Sequence, residues 1–177
     1  EARRWPDLMK NVESKVKPER ARLGNNADAR RRKERWWLWG RYTPALFAAT
    51  KDARRVLVIA RVGQAMAYAF LPPDMVYAES LVVFPLPTFA AFAALQARPH
   101  EVWARFFSSS MKDDLRYTPS DCFETFPFPV GFATAATLED VGQAYYQLRA
   151  ALMVRNDEGL TATYNRFGLF PTFSTGV

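Results

Sequence analysis

Residues 56–60 read Val56-Leu57-Val58-Ile59-Ala60, an apolar run rich in β-branched side chains that is typical of a buried strand. Farther along the chain, Met66–Leu71 and Tyr77–Leu86 predict two more strands. Arg61-Val62-Gly63-Gln64 is the predicted connection between the first and second strands. Because parallel strands need long crossovers, links this short favour a small antiparallel or mixed sheet.

Helical patterns flank this sheet on both sides. Pro6 and an apolar residue at every fourth position predict a helix over residues 6–23 that breaks or kinks at Pro18. Further helices are predicted at 43–50, 88–97, 99–107, 118–121, from 137 onward and at 160–167. In the helix from 137, one stripe is expected to face the core: Leu138, Val141, Tyr145, Leu148 and Leu152. The expected fold class is α+β, a small sheet packed with helices behind a basic N-terminal helical region.

Composition excludes several classes of protein. The chain has 177 residues, 49% hydrophobic and 15% aromatic, which excludes a wholly disordered chain. No apolar stretch approaches the roughly 18 residues of a membrane-spanning helix. A single cysteine, Cys122, and a single histidine, His100, exclude a disulfide framework and Cys- or His-rich metal sites. We expect Cys122 in the core, His100 on a helix surface or in a local hydrogen bond, and no metal site.

Positive charge is concentrated in the first third of the chain. Residues 1–61 carry seventeen Lys or Arg against seven Asp or Glu, whereas residues 62–177 carry seven against eleven. The densest run is Arg30-Arg31-Arg32-Lys33-Glu34-Arg35, followed at once by Trp36-Trp37-Leu38-Trp39-Gly40-Arg41-Tyr42. A basic region of this kind favours a polyanionic partner, with the tryptophans packed into the core as an anchor. The alternative is a solvated basic face.

The sequence bears on two kinds of enzymatic site, a nucleotide or S-adenosylmethionine site and a metal-dependent nuclease site. No Gly-rich element follows a strand, so neither a nucleotide nor an S-adenosylmethionine site is expected here. Pro6-Asp7 with Glu13-Ser14-Lys15 has the letters of a metal-dependent nuclease signature. That chemistry needs two carboxylates converging on one metal ion, but Asp7 and Glu13 fall on roughly opposite faces of one predicted helix. A nuclease fragment therefore ranks third as a hypothesis, below two binding functions.

One segment resembles a known family. It reads Leu115-Arg116-Tyr117-Thr118-Pro119-Ser120-Asp121-Cys122-Phe123-Glu124-Thr125-Phe126-Pro127-Phe128-Pro129. It is similar to the C-terminal specificity region of fused restriction–modification methyltransferases, the MmeI-like and type IIG enzymes. Weaker similarities follow the same order at residues 36–41, 95–103 and 160–167. Gln96-Ala97 and Gly168-Leu169 depart from the family pattern, so the register of the tail is open.

The resemblance implies a target recognition domain over residues 30–177, preceded by a helical linker at 1–29. The chain begins without Met and has no secretory segment, so we expect a piece of a larger intracellular protein. The implied parent is an S-adenosylmethionine-dependent, adenine-specific DNA methyltransferase of the bacterial cytoplasm, with or without a nuclease. The fragment itself is expected to be non-catalytic and to hold no cofactor. Its expected partners are double-stranded DNA and the methyltransferase domain of the same chain, and no membrane.

Candidate DNA contacts fall into two groups. Phosphate contacts, which position the domain without reading sequence, are expected from Arg30, Arg31, Arg32, Lys33, Arg35 and Arg41. Base contacts should lie on loops or strand ends, and the candidates are Arg61, Gln64, Arg54, Arg55, Lys112 and Arg116. The Tyr117–Pro129 block is too rich in Phe and Pro for base contacts and is expected to lock helices onto the sheet. The second hypothesis is a protein-interaction domain that docks through exposed aromatics without contacting DNA.

Overall fold

The computed structural model describes residues 4–38, 43–108, 110–111 and 114–166. The chain divides into two units, Glu1–Phe47 and Ala48–Val177. Helices alternate with small antiparallel sheets, which confirms the predicted α+β class. None of the helices within these described ranges is long and apolar enough to cross a membrane.

The first unit contains two helices, α1 (Pro6–Ala21) and α2 (Ala27–Glu34). Of the two predicted effects of Pro18 the break is wrong, because α1 runs through Pro18 to Ala21, and the kink stays a prediction. Proline in an interior turn removes one backbone donor, and here the remaining residues still complete the last turn. Asn26 caps α2 by accepting a hydrogen bond from the Ala29 amide at 2.8 Å. The predicted boundary after residue 29 stays a prediction, although Ala29 itself lies inside α2.

The tryptophans of this unit do not form a buried anchor. Trp36 is partly buried and lies under the Lys17 ammonium, 5.1 Å from the ring centroid. Trp37 packs edge-to-face on Trp36 but is half exposed, so its assignment to the core is wrong. The physical reason is that α1 has no fully buried side chain, which leaves no deep core for a large ring to enter. Trp39 lies outside the described residues.

The second unit begins within α3, which crosses the boundary between the two units, and it carries both sheets. Its elements, in chain order, are α3 (Pro44–Thr50), β1 (Val56–Ala60), β2 (Val62–Gly63), β3 (Ala69–Leu71), β4 (Leu81–Phe84), α4 (Phe89–Gln96), α5 (Arg98–Phe107), β5 (Ser110–Met111), β6 (Asp114–Arg116), α6 (Pro119–Cys122), a 3₁₀ turn (Phe132–Thr134), α7 (Ala136–Asn156) and α8 (Leu160–Arg166). The first sheet has the order β3-β1-β4 and is antiparallel throughout, as predicted. The observed strands β3 and β4 are shorter than the predicted ones.

A second sheet, of order β2-β6-β5, was not predicted. The segment 61–64, expected to be only a link, contains the strand β2, which a bend at Arg61 separates from β1. Arg61 sits at the junction: its amide donates to the Ser80 carbonyl at 2.7 Å, and its carbonyl accepts the Tyr117 amide at 2.8 Å. The two successive strands therefore belong to different sheets: β1 pairs with β3 and β4, and β2 pairs with β6.

Helices α4, α5 and α7 cover the first sheet, as predicted. Phe92 and Leu95 of α4 and Ala104 of α5 join the core cluster that contains Leu57 and Ile59. Tyr146 of α7 packs against the same cluster, and its hydroxyl accepts the Phe70 amide at 3.1 Å.

The predicted buried stripe of α7 is wrong. Val141 and Leu148 are 64% and 61% exposed, whereas Gly142 and Arg149 are buried. The helix turns its glycine toward α4 because only a residue without a Cβ permits so close an approach.

The Tyr117–Pro129 block locks helices onto the sheet, as predicted. Tyr117 and Cys122 are fully buried, and Phe123 and Phe128 pack against the same core. The five aromatics expected to be largely buried are each partly buried: Trp36, Trp103, Phe123, Phe126 and Phe128.

His100 lies at the centre of this region, which corrects the alternative that placed it on a helix surface. It is fully buried, and its Nδ1 lies 2.8 Å from the Leu95 carbonyl. Its Nε2 lies 3.2 Å from both the Cys122 carbonyl and the Tyr117 hydroxyl, so each ring nitrogen has a hydrogen-bond partner. Burial lowers the pKa of His100 and raises that of Tyr117.

Candidate nucleic-acid interface

The second sheet has one buried side and one exposed side. In its pairing register Val62 lies opposite Arg116, and Gly63 lies opposite Leu115. Leu115 and the following Tyr117 are buried in the core. Because side chains alternate along a strand, Val62 and Arg116 project from the opposite side, toward solvent.

We give the name outward face to the exposed side of this sheet together with Gln64, the exposed residue that directly follows β2; its members are Val62, Gln64, Asp114 and Arg116. Val62 is 44% exposed, Gln64 and Arg116 are exposed, and Asp114 is partly exposed. A guanidinium can pair with a guanine edge, an amide with an adenine edge, and an apolar side chain can contact a thymine methyl group. A narrow antiparallel ribbon is also an element that the major groove of DNA admits. Two predicted base-reading residues are thus exposed at neighbouring positions: Arg116 in β6, and Gln64 directly after the strand that pairs with β6.

Sequence analysis missed Val62 and Asp114. Strands of two or three residues give no alternating pattern long enough to recognise. The one available signal was Arg116 itself, which pointed to this segment without revealing its partner strand.

Arg61 lies in the chain next to Val62 of the outward face, but its guanidinium is already hydrogen-bonded to the backbone. Its Nε donates to the Glu79 carbonyl at 3.0 Å, and its backbone joins the two sheets. The guanidinium terminus of Arg61 could still reach a base, so the assignment of Arg61 as a base reader stays a prediction.

The remaining base-contact candidates are placed differently. Arg55 lies over the rings of Phe70 and Phe89, 3.7 and 4.1 Å from their centroids, and its Nε donates to the Pro87 carbonyl at 2.7 Å. Desolvation lowers its pKa. This environment favours a packing role. Arg54, ahead of β1, is exposed. Lys112 lies outside the described residues.

The predicted phosphate contacts are distributed around α2. Successive residues of a helix are 100° apart, so Arg30, Arg31, Arg32 and Lys33 point in four directions and cannot all face one DNA backbone. Arg30, Arg31 and Arg35 are exposed, although Arg31 also binds Asp28 at 3.0 Å.

Arg32 and Lys33 are more enclosed than the other basic residues of α2. Arg32 is partly buried and binds Asp28 at 2.8 Å. The Lys33 ammonium lies 3.4 Å from the Asn25 side-chain oxygen. The exposed subset Arg30, Arg31 and Arg35 is therefore better placed for phosphates. Arg41 lies outside the described residues.

A cavity of about 280 Å³ opens between α4, α5, α7 and α8. Polar side chains that line the cavity already form hydrogen bonds or ion pairs with other residues of the protein. The Gln96 amide binds the Met66 carbonyl and the Tyr68 amide, Glu101 binds Arg98 and Arg105, and the Tyr145 hydroxyl binds Tyr164. Such a lining is poorly equipped to orient a polar ligand, which makes the outward face the stronger candidate site.

The nuclease pattern gains no geometric support. Asp7 and Glu13 both lie on the exposed surface of α1, and Glu13 binds Lys17 at 2.8 Å. Among the residues that the structure describes, no three His, Cys, Asp or Glu side chains are grouped to hold a metal ion.

Comparison with known proteins identifies the family. The family described as "MmeI, target recognition domain" matches residues 2–130 of the chain. The match includes α2, both sheets and the whole Tyr117–Pro129 block, and it ends before α7. No curated protein and no solved structure matched the chain. A target recognition domain of this family serves sequence-specific DNA recognition in restriction–modification, and the match covers well over half of the chain. The chain therefore belongs to the MmeI target recognition domain family.

Proposed function

We propose that this chain reads a DNA sequence on behalf of a methyltransferase domain in the same polypeptide, and so positions duplex DNA for adenine methylation. Membership of the MmeI target recognition domain family supports the DNA-reading part. The methyl donor would be S-adenosylmethionine, held by residues outside this chain, and the parent enzyme would act in the bacterial cytoplasm. No residue of this chain is assigned to the cofactor or to the transfer of the methyl group.

The observation that carries the proposal is the outward face of the second sheet. Arg116 presents a planar guanidinium that matches the two acceptors of guanine, and Gln64 presents an amide that matches adenine. The opposite side of the same strands is packed into the core through Leu115 and Tyr117. A rigid backbone of this kind holds side chains in fixed directions, which selective hydrogen bonding to base edges requires.

Affinity that does not depend on sequence is assigned to the first unit. The exposed residues Arg30, Arg31 and Arg35 would bind phosphates and release counterions from the DNA. Arg32, Lys33 and Arg41 remain candidates for the same role. Phosphate contacts of this kind would fix the position of the domain on the duplex, and the second sheet would recognise the base sequence.

Selection from a randomised duplex pool tests the reading role. The wild-type chain should enrich one sequence, and Arg116→Ala should lose the preference at one base pair, by about 5- to 150-fold. Arg155→Ala is the matched control, because Arg155 is an exposed arginine on α7, away from the second sheet. If Arg116→Ala weakened binding to all sequences equally, Arg116 would be a phosphate or structural residue and the proposal for the outward face would be contradicted.

Methylation is tested on the parent enzyme. Incubation of the enriched duplex with radiolabelled S-adenosylmethionine should place the label on adenine. Label on cytosine, or none, would contradict the proposed activity while leaving DNA reading intact.

One observation favours the second hypothesis, a protein-docking role. Helix α7 leaves three apolar residues exposed, Val141, Leu148 and Val154. A salt titration separates the two hypotheses. Binding through several phosphates weakens steeply as salt rises, whereas docking on an apolar surface does not.

A further inference from the structure

Arg105 of α5 connects two groups that lie far apart in sequence. Its Nε donates to the Glu101 carboxylate at 3.0 Å, and its Nη2 donates to the Gln64 carbonyl at 2.8 Å. The Arg105 and Glu101 side chains are only 28% and 12% exposed, so solvent screens the ion pair less than it would at the surface. The planar guanidinium therefore has a fixed orientation with one edge directed at the backbone of Gln64.

The backbone around Gln64 depends on such side-chain contacts. Pairing between β2 and β6 includes Val62 and Gly63 and stops there, and β3 begins only at Ala69. Between these strands the Gln96 amide binds the Met66 carbonyl at 2.7 Å and the Tyr68 amide at 3.0 Å. The segment 64–68 is therefore held by side chains from α4 and α5, and Arg105 is the contact at Gln64 itself.

We propose that Arg105 is a positioning residue for Gln64. By binding the Gln64 carbonyl, it fixes the peptide plane from which the exposed Gln64 amide projects, and so the direction in which that amide can meet a base edge. Arg105 need not touch DNA, because it acts through the backbone of Gln64. The inference rests on the proposed function, since it names what holds one reading residue in place.

The variants Arg105→Ala, Gln64→Ala and the double variant test this role by selection from a randomised duplex pool. Arg105→Ala should relax the preference at the same base pair as Gln64→Ala, by about 5- to 150-fold. The double variant should relax that pair no further, because both changes remove one contact. Arg105→Lys keeps the charge but has a single nitrogen to serve two acceptors, so it should retain part of the preference.

Arg98→Ala is the matched control. Arg98 also binds Glu101, at 2.9 Å, and lies one helical turn from it, so the change removes one ion pair of the same carboxylate without removing the Arg105 contact to Gln64. It should leave the base preference unchanged. Thermal unfolding of every variant provides a second readout, and the loss of preference in Arg105→Lys should occur without a matching loss of stability.

The outcomes separate this inference from the proposed function. A wild-type chain that enriches no sequence contradicts the proposed function and the inference together. A wild-type chain that enriches a sequence, with Arg105→Ala relaxing a different pair, weakening all sequences alike or changing nothing, overturns the positioning role and leaves the proposed function standing.

Discussion

Gly142 of α7 packs directly against the backbone carbonyl of Phe89 at the start of α4. A Cβ atom at Gly142 would lie 2.9 Å from the Phe89 carbonyl carbon and 3.1 Å from the Ala93 Cβ. Real Cβ atoms do not come this close to backbone, so the two helices can approach only because residue 142 has no side chain. This contact sets which face of α7 is buried.

Gly142→Ala should therefore separate α7 from α4 and lower the free energy of unfolding by about 1–3 kcal/mol. Urea unfolding followed by circular dichroism measures the change. Gly159→Ala is the control, because a Cβ at Gly159 meets no atom within 4 Å, and it should have little effect on stability. Equal effects of the two substitutions would mean that the helices do not meet at residue 142.

The buried face of α7 could not be predicted from the sequence, because the close approach of Gly142 to α4 determines it. Val141, Tyr145 and Leu148 form a good apolar stripe, and hydrophobic periodicity selects that stripe for the core. Close approach through a glycine follows a different rule, which depends on the position of α4 and leaves no periodic signal. The strand β1 and the helices α4 and α5 were predictable because each has a long apolar pattern with clear end signals.

His100 should make the stability of the protein depend on pH. Burial lowers its pKa, so the folded protein keeps His100 neutral while the unfolded chain takes up a proton below about pH 6.5. The contribution to stability is complete above that pH and is lost as the pH falls from there through the folded-state pKa. Urea unfolding at a series of pH values between 5 and 7.5 should show this decline.

His100→Gln is the variant that assigns the decline to one group. His100 is the single histidine of the chain, so no other histidine contributes in this range. The variant should be less stable at pH 7.5, yet its stability should change less between pH 6.5 and 5. An unchanged slope would show that His100 is not held neutral in the folded protein.

Arg149 joins α7 to α8 from a buried position. Its guanidinium lies 4.6 Å from the centroid of the Tyr146 ring, and its Nη1 donates to the Tyr164 hydroxyl at 3.0 Å. Arg149→Ala should lower the free energy of unfolding by about 2–4 kcal/mol, because it removes packing, a cation–π contact and a hydrogen bond together. Thermal unfolding checks this against Arg155→Ala, an exposed arginine of the same helix, which should change stability by less than about 0.5 kcal/mol.

Arg30 tests the phosphate assignment in the first unit. Arg30→Gln should weaken binding to every duplex alike and reduce the slope of log K against log salt by about 0.9. Fluorescence anisotropy at several salt concentrations gives the slope. Arg155→Gln removes the same charge from α7 and should leave the slope unchanged; if both substitutions change it equally, the first unit has no special role in binding phosphates.

The proposed DNA-reading surface could be predicted only in part. Gln64 was selected by residue type and by its position in a predicted link between strands, and Arg116 was a further candidate; the structure leaves both exposed. Residues 61–64 were expected to be a link between strands, because a two-residue strand such as β2 forms only when its distant partner β6 meets it. Arg105 could not have been found, because its contact with Gln64 joins residues 41 positions apart.

The most direct test of the account is a photocrosslink from the outward face to DNA. With p-benzoylphenylalanine in place of Val62, illumination of the complex with the enriched duplex should crosslink the protein to a base within the selected sequence. The same photoreactive residue in place of Val130, which is fully exposed but lies outside the second sheet, is the control and should crosslink weakly or not at all. Crosslinking from position 130 alone, or equal crosslinking from both positions, would contradict the claim that the second sheet of this domain reads DNA.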